Sequence, residues 1–302
     1  MATITTTTMI MPMNNTMFSF NIFSDLKTML QYDFMLHAFQ AGTIVAIVAG
    51  IIGYFIVLRR SSFAAHALSH VGFTGAAGAV LIGINPIFGL FLFTMSGGVL
   101  IGILGRKAES RDVQIGTVLA FMLGLGVLFI SLYKGYATEA YSLLFGEILG
   151  ISSSNVLITL IAGIIIAVAL ACFYRPLLFV SLDEDVAEAK GLSIFWIGIL
   201  FMLLIAAATS IAVQVVGVLL IFSLMVTPAA IAERLASKPT HGLIISVLIA
   251  VMSTWLGLFI SFYLPYPVSF FITAIVFLIY ILVRLIPYIR NLAFQKHYQK
   301  QI

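Results

Sequence analysis

Charge is what this sequence has least of: Asp, Glu, Lys and Arg make up 9% of its 302 residues, against 62% hydrophobic ones. A water-soluble domain carries about a quarter charged residues, so this chain lacks the polar surface to stay in water and reads as an all-α integral membrane protein. Cysteine is nearly missing. The single Cys172 sits in an apolar run, which excludes an intramolecular disulfide and any cysteine-cluster metal site. No G-x-x-x-x-G-K-[ST] occurs, so the chain carries no phosphate-cradling loop and does not read as an enzyme that hydrolyses ATP. The stretch "MATITTTTMIMPMNN" has neither a basic n-region nor a small-residue cleavage site and does not read as a signal peptide. A net charge of +4 would suit nucleic acid in a soluble protein. Here membrane orientation accounts for the basic residues, and no nucleic-acid partner is expected.

What is plentiful is apolar run. Nine candidate spans, each near the length of about 20 residues that crosses a bilayer, lie at 35–58, 62–84, 86–105, 113–133, 154–174, 194–213, 216–235, 242–264 and 267–288. Basic residues alternate between the junctions. Arg59, Arg60, Arg106, Lys107, Arg111, Arg175, Lys190, Arg234 and Lys238 follow the odd spans, and the tail adds Arg284, Arg290, Lys296 and Lys300. Only Lys27 and Lys134 of the 15 Lys and Arg fall on the other side. By the positive-inside rule the N-terminus is expected outside and the C-terminus in the cytoplasm. Three parts follow: an extracytoplasmic or amphipathic segment at 1–34, beginning its amphipathic pattern near Phe18, a membrane domain at 35–288, and a cytoplasmic tail at 289–302.

Two junctions are longer than tight turns. Residues 175–193, "RPLLFVSLDEDVAEAKGLS", hold four of the eleven acidic residues. Ser181 or Asp183 is expected to cap a short cytoplasmic helix there, and Gly191 to close it. From composition alone it reads first as a solvated connector. The junction 134–153, with Tyr141, Phe145 and Glu147, is expected to fold at the outer interface.

Within this apolar chain, "RRSSFAAHALSHVGF" places His66 and His70 in the second span. At 1.5 Å per residue they lie about 9 and 15 Å from Arg60, toward the bilayer middle. An ionisable side chain at that depth is costly and marks function by default. Residues four apart share one helix face, with Cβ atoms about 5–6 Å apart, so the two imidazoles can share one metal ion. Ser69 and Thr74 lie beside them. The segment Gly72–Ala79, "GFTGAAGA", is almost all small residues, which permits close backbone approach and places this helix against protein rather than lipid. Three readings of the pair stand at this point: metal ligands, a proton relay, or hydrogen-bonding groups that only hold the bundle together. A metalloprotease is a poor alternative, because "ALS" between the histidines lacks the Glu of H-E-x-x-H that would activate water.

Three stretches in order resemble one family. "RRSSFAAHALSHVGFTGAAGA" is similar to its R-R-x-S…D-A-L-S-H…G pattern, "SLDEDVAEAKGLS" to its D-x-x-x-A-x-A-x-G-L segment, and "VQVVGVLLIFSLMVTPAAIAERL" to its V-G-x-L-L…P-A-A-x-A pattern. The chain, from about Tyr32 to Leu285, resembles the membrane permease of the zinc/manganese/iron ABC importers, the ABC-3 family. The resemblance implies a polytopic bundle of about eight or nine transmembrane helices, like a type II ABC importer permease, in a bacterial cytoplasmic membrane. It implies pairing with a second permease, two cytoplasmic ATPase subunits, and an extracytoplasmic protein that delivers the ion. Asp183–Leu192 then becomes the ATPase-coupling helix, with Asp183, Glu184, Asp185, Glu188 and Gly191 as its marked residues.

One departure bears on the cargo. The family's pattern has Asp four residues before the His; here that position is His66. Imidazole suits zinc, and oxygen-rich sites suit manganese, so the sequence favours zinc, with manganese or iron as the alternative. No permanently bound cofactor is expected. Glu147 is a candidate for accepting the ion at the outer mouth, and Pro228 for a kink or hinge in the seventh span. A proton-coupled secondary transporter using His66 and His70 is the rival mechanism, and a vitamin or siderophore importer the rival cargo class.

Overall fold

The structure, a computed structural model, describes residues 22–104, 111–133 and 146–299. Eleven α-helices occur among them, with no strand: α1 (Ile22–Met29), α2 (Asp33–Leu58), α3 (Ser62–Leu81), α4 (Pro86–Leu104), α5 (Arg111–Leu132), α6 (Ser153–Leu182), α7 (Glu184–Ala189), α8 (Ile194–Val216), α9 (Val218–Leu235), α10 (Pro239–Tyr263) and α11 (Val268–Gln299). Nine of these coincide with the expected spans. Eight are long and apolar enough to cross a membrane; α3 is not among them. Its His, Ser, Thr and Gly lower its hydropathy, and it tolerates them because α4, α5, α8 and α9 surround it. Its 20 residues still span about 30 Å.

The helices sort by what covers them. α2, α3 and α8 form the interior, where Phe55, Leu68, Phe201 and Ile205 are fully buried. α4, α5, α6 and α11 turn residues such as Phe88, Phe121, Ile165 and Phe277 outward. An apolar outer surface is what a bilayer solvates, since lipid tails are as apolar as Leu. Small residues set the inner spacing. Gly53 of α2 packs on the backbone of Met225 in α9, and Gly50 on that of Val247 in α10. Ser246 Oγ of α10 donates to the Gly50 carbonyl at 2.8 Å, so an apolar contact is supplemented by a hydrogen bond with no competing water.

One end of the bundle is basic. There α2 closes in a Schellman turn: Ser61 N–H donates to the Ile56 carbonyl (2.8 Å) and Arg60 N–H to that of Val57 (3.0 Å). Arg60 adopts φ +52°, a left-handed conformation that a Cβ-bearing residue rarely takes. The Arg59 guanidinium lies 5.1 Å over the Phe201 ring of α8, a cation–π contact that fixes the start of α3 against the core.

Two boundaries differ from the sequence expectation. The fifth span does not stop near residue 174; α6 continues to Leu182 through Pro176. Proline forfeits one ladder bond, but Leu177 and Val180 beyond it are buried, and that packing carries the helix past the break. The last helix likewise runs on to Gln299, into the expected tail. At the start, α1 occupies part of the expected amphipathic segment and buries Asp25 and Met29; the expected beginning near Phe18 lies outside the described residues. Residues 1–21, and the part of the 134–153 junction up to 145 with Tyr141 and Phe145, lie outside the described residues.

Candidate metal-binding site

The two histidines project from one face of α3. Their ring centroids are 4.7 Å apart and the planes nearly perpendicular, at 83°. Both side chains are half-buried. The Nδ1 atom of each is buried and meets no hydrogen-bond partner. A buried imidazole nitrogen without a partner is costly, so two such atoms on one face invite an occupant. Around them, Phe63 stacks on His66 at 6.5 Å, and Phe222 of α9 meets its ring at 4.9 Å and 65°.

Ser69 and Thr74 are fully buried, and both hydroxyls face backbone carbonyls. Ser69 Oγ donates to the His66 carbonyl at 2.7 Å. Thr74 Oγ1 lies 3.1 Å from the His70 carbonyl and 2.6 Å from that of Met122 in α5. Gly126, whose missing side chain leaves room for Thr74, makes that approach possible. Both hydroxyls therefore lock the backbone that carries the histidines, and Thr74 ties it to α5.

Glu147 is not part of this group. It is exposed, precedes the short 3-10 turn Ile148–Gly150, and lines a cavity of about 190 Å³ with Asn85, Leu90, Asn155 and Gln214 at the end of the bundle opposite Arg59. Leu90 and Thr94 of α4 cover Gly72 of α3. Gly72 is two residues, or about 200° of helical rotation, past His70, so this cavity sits on the far side of α3 from the imidazoles. Among the described residues no three His, Cys, Asp or Glu side chains converge closely enough to hold an ion.

The predicted short helix is present. Asp183, not Ser181, is its cap, accepting from Val186 N–H at 3.0 Å; Ser181 instead donates to the Leu177 carbonyl. Glu184, Asp185 and Glu188 are exposed around α7 while Ala187 is buried. Gly191 closes the turn at φ +82°. Lys190 Nζ sits 5.1 Å over Phe179 of α6, holding α7 against the end of the long helix.

Sequence reasoning missed Phe222, Met122 and Gly126. Phe63 was findable, one turn before His66 on the same face. The others reach the site from α9 and α5, and nothing local in the sequence announces that convergence.

A bundle with eight helices long and apolar enough to cross a membrane is the architecture of a polytopic membrane protein. The chain belongs to the ABC 3 transport family, whose model matches residues 31–286. It is 34% identical over 78% of its length to the manganese transport system membrane protein MntC of Listeria monocytogenes, covering 85% of that protein. It is 31% identical over 76% of its length to the manganese import system permease protein ScaB of Streptococcus gordonii, covering 83% of it. Among solved structures it resembles PsaBC from Streptococcus pneumoniae in complex with Fab, with a TM-score of 0.77 at 28% identity, over 87% of this chain and 95% of that one. The fold is thus that of a metal ABC-importer permease.

Proposed function

We propose that this chain is the membrane subunit of an ATP-driven manganese importer, and that His66 and His70 are ligands the ion meets on its way through. The observation that carries the reading is the pair of buried, unpartnered Nδ1 atoms on one helix face. The names of the relatives in Listeria and Streptococcus support manganese and reverse the preference for zinc drawn from imidazole softness alone. Two imidazoles are too few to select a soft ion. With water completing the shell, they make a weak, mixed nitrogen–oxygen stop that a hard ion can enter and leave.

The remaining parts follow from the family. ATP would be hydrolysed by a separate cytoplasmic pair of subunits, docked on the acidic α7. An extracytoplasmic protein would deliver the ion, and a second permease copy would complete the pathway. The basic end, with Arg59, Arg60, Arg175 and Arg234, would face the cytoplasm, as the positive-inside rule requires.

The test is uptake of radioactive manganese, with zinc in parallel, in metal-starved cells carrying the wild type, His66→Ala or His70→Ala at matched membrane abundance. Loss of manganese uptake in both variants supports the reading. Unchanged uptake makes the pair structural, and a loss confined to zinc restores the softness argument. Dissipating the proton gradient while ATP is maintained should leave uptake intact; its collapse would indicate a proton-coupled carrier instead.

A further inference from the structure

A ligating imidazole normally donates its second ring N–H to an acceptor that fixes its orientation. His66 lacks a hydrogen bond at Nδ1, yet its ring is not free, because aromatic rings fix it. Phe63 lies nearly parallel to it, with 30° between planes and 6.5 Å between centroids. Phe222 approaches at 65° and 4.9 Å, inside the range of about 4.5–7 Å for attractive tilted and edge-to-face pairs. His70 stands perpendicular at 4.7 Å. Of these three ring neighbours only Phe222 comes from another helix, so it ties the pose of His66 to tertiary structure.

Its carrier helix begins shortly before it and contains a proline beyond it. α9 starts directly after Gly217, at φ +82° and with no side-chain cap, and contains Pro228 in its interior. α9 also packs on α2, α10 and α11, so its position reports on the bundle as a whole.

We propose that Phe222 is a positioning residue for the ion site: it holds His66 edge-on to His70, so that both imidazoles are presented together, and it keeps water from the His66 side. The proposal rests on the reading of His66 and His70 as ion ligands.

The test uses the full chain in lipid nanodiscs, titrated with Mn²⁺ alone and followed by loss of the sharp multi-line spectrum of the aqueous ion. His66→Ala must weaken binding; if it does not, the ion-site reading falls and this proposal with it. Given that result, Phe222→Ala is expected to lower affinity about threefold to tenfold, the range that one aromatic contact supplies. In the His66→Ala background the same change should cost less than about twofold, since the ring it positions is gone. Phe222→Tyr, which keeps the ring, should restore affinity. Equal losses in both backgrounds, or no loss in either, would overturn the proposal, because a generally loosened bundle or an idle side chain behaves that way.

Discussion

Gly75 of α3 and Gly89 of α4 press backbone to backbone, each where a Cβ would run into the carbonyl oxygen of the other. This contact sets the closest approach of the histidine helix to its neighbour. Added volume cannot be absorbed by a flexible side chain, because the obstacle is main chain on both sides. Gly75→Ala is expected to destabilise the protein by about 1–3 kcal/mol, the usual cost of overpacking, and Gly75→Leu to abolish the folded peak in detergent size-exclusion chromatography. A normal melting temperature for Gly75→Ala would show that the two helices separate freely.

Thr74 joins α3 to α5 through the Met122 carbonyl. Interhelical hydrogen bonds within membranes contribute about 0.6 kcal/mol on average. Thr74→Val should therefore lower thermal stability modestly, Thr74→Ser should recover it, and Mn²⁺ affinity of the folded fraction should stay unchanged in both. A loss of affinity that exceeds the loss of stability would make the hydroxyl a ligand.

Arg60 occupies a left-handed turn at φ +52°, a place glycine takes without strain. Arg60→Gly is expected to match or exceed wild-type thermal stability, and Arg60→Val, with its branched Cβ, to fall below it. Melting curves of the two variants in one detergent decide the matter.

Asp183 caps α7. Replacement by Ala removes a bond that supports helix starts by about 1 kcal/mol, while Asn caps about as well. On the proposed coupling role, Asp183→Ala should sharply reduce metal uptake at normal membrane abundance and Asp183→Asn should retain most of it. Equal uptake in all three would leave α7 a solvated connector.

His66→Asp would restore the carboxylate that the family's pattern carries at this position. Carboxylate oxygen suits manganese better than a second imidazole does. Manganese uptake should persist in this variant, and the concentration of zinc needed to inhibit it should rise severalfold. Tighter zinc inhibition would mean that His66 is not what admits zinc.

Helix number and order were legible in the sequence because apolar length and alternating charge are both set by the bilayer, which acts on each segment separately. Asp183 and Gly191 were legible too, since capping and left-handed closure are decided within a few residues. The continuation of α6 through Pro176 was not. A local breaker was outweighed by the burial of Leu177 and Val180, and burial depends on helices distant in sequence. The imidazole pair was visible from its spacing alone. Its setting was not, because Phe222 and Met122 arrive from helices whose arrangement around α3 depends on packing. Glu147 is picked out by its location in the chain as a candidate at the outer mouth; its cavity neighbours Asn85 and Gln214 come from segments distant in sequence and were not legible.

The 30 residues of α6 make a rod of about 45 Å, half again as long as the hydrocarbon layer is thick. With its first turn at the end opposite Arg59, it runs past Arg175 and Pro176 at the basic end, where Leu177 and Val180 are still packed against the bundle. α7 is fastened to that last turn by Lys190 on Phe179. On the proposed coupling role, a push on the acidic surface of α7 would reach the bundle through Phe179 and the buried Leu177 and Val180, at the end of a helix long enough to cross the whole membrane.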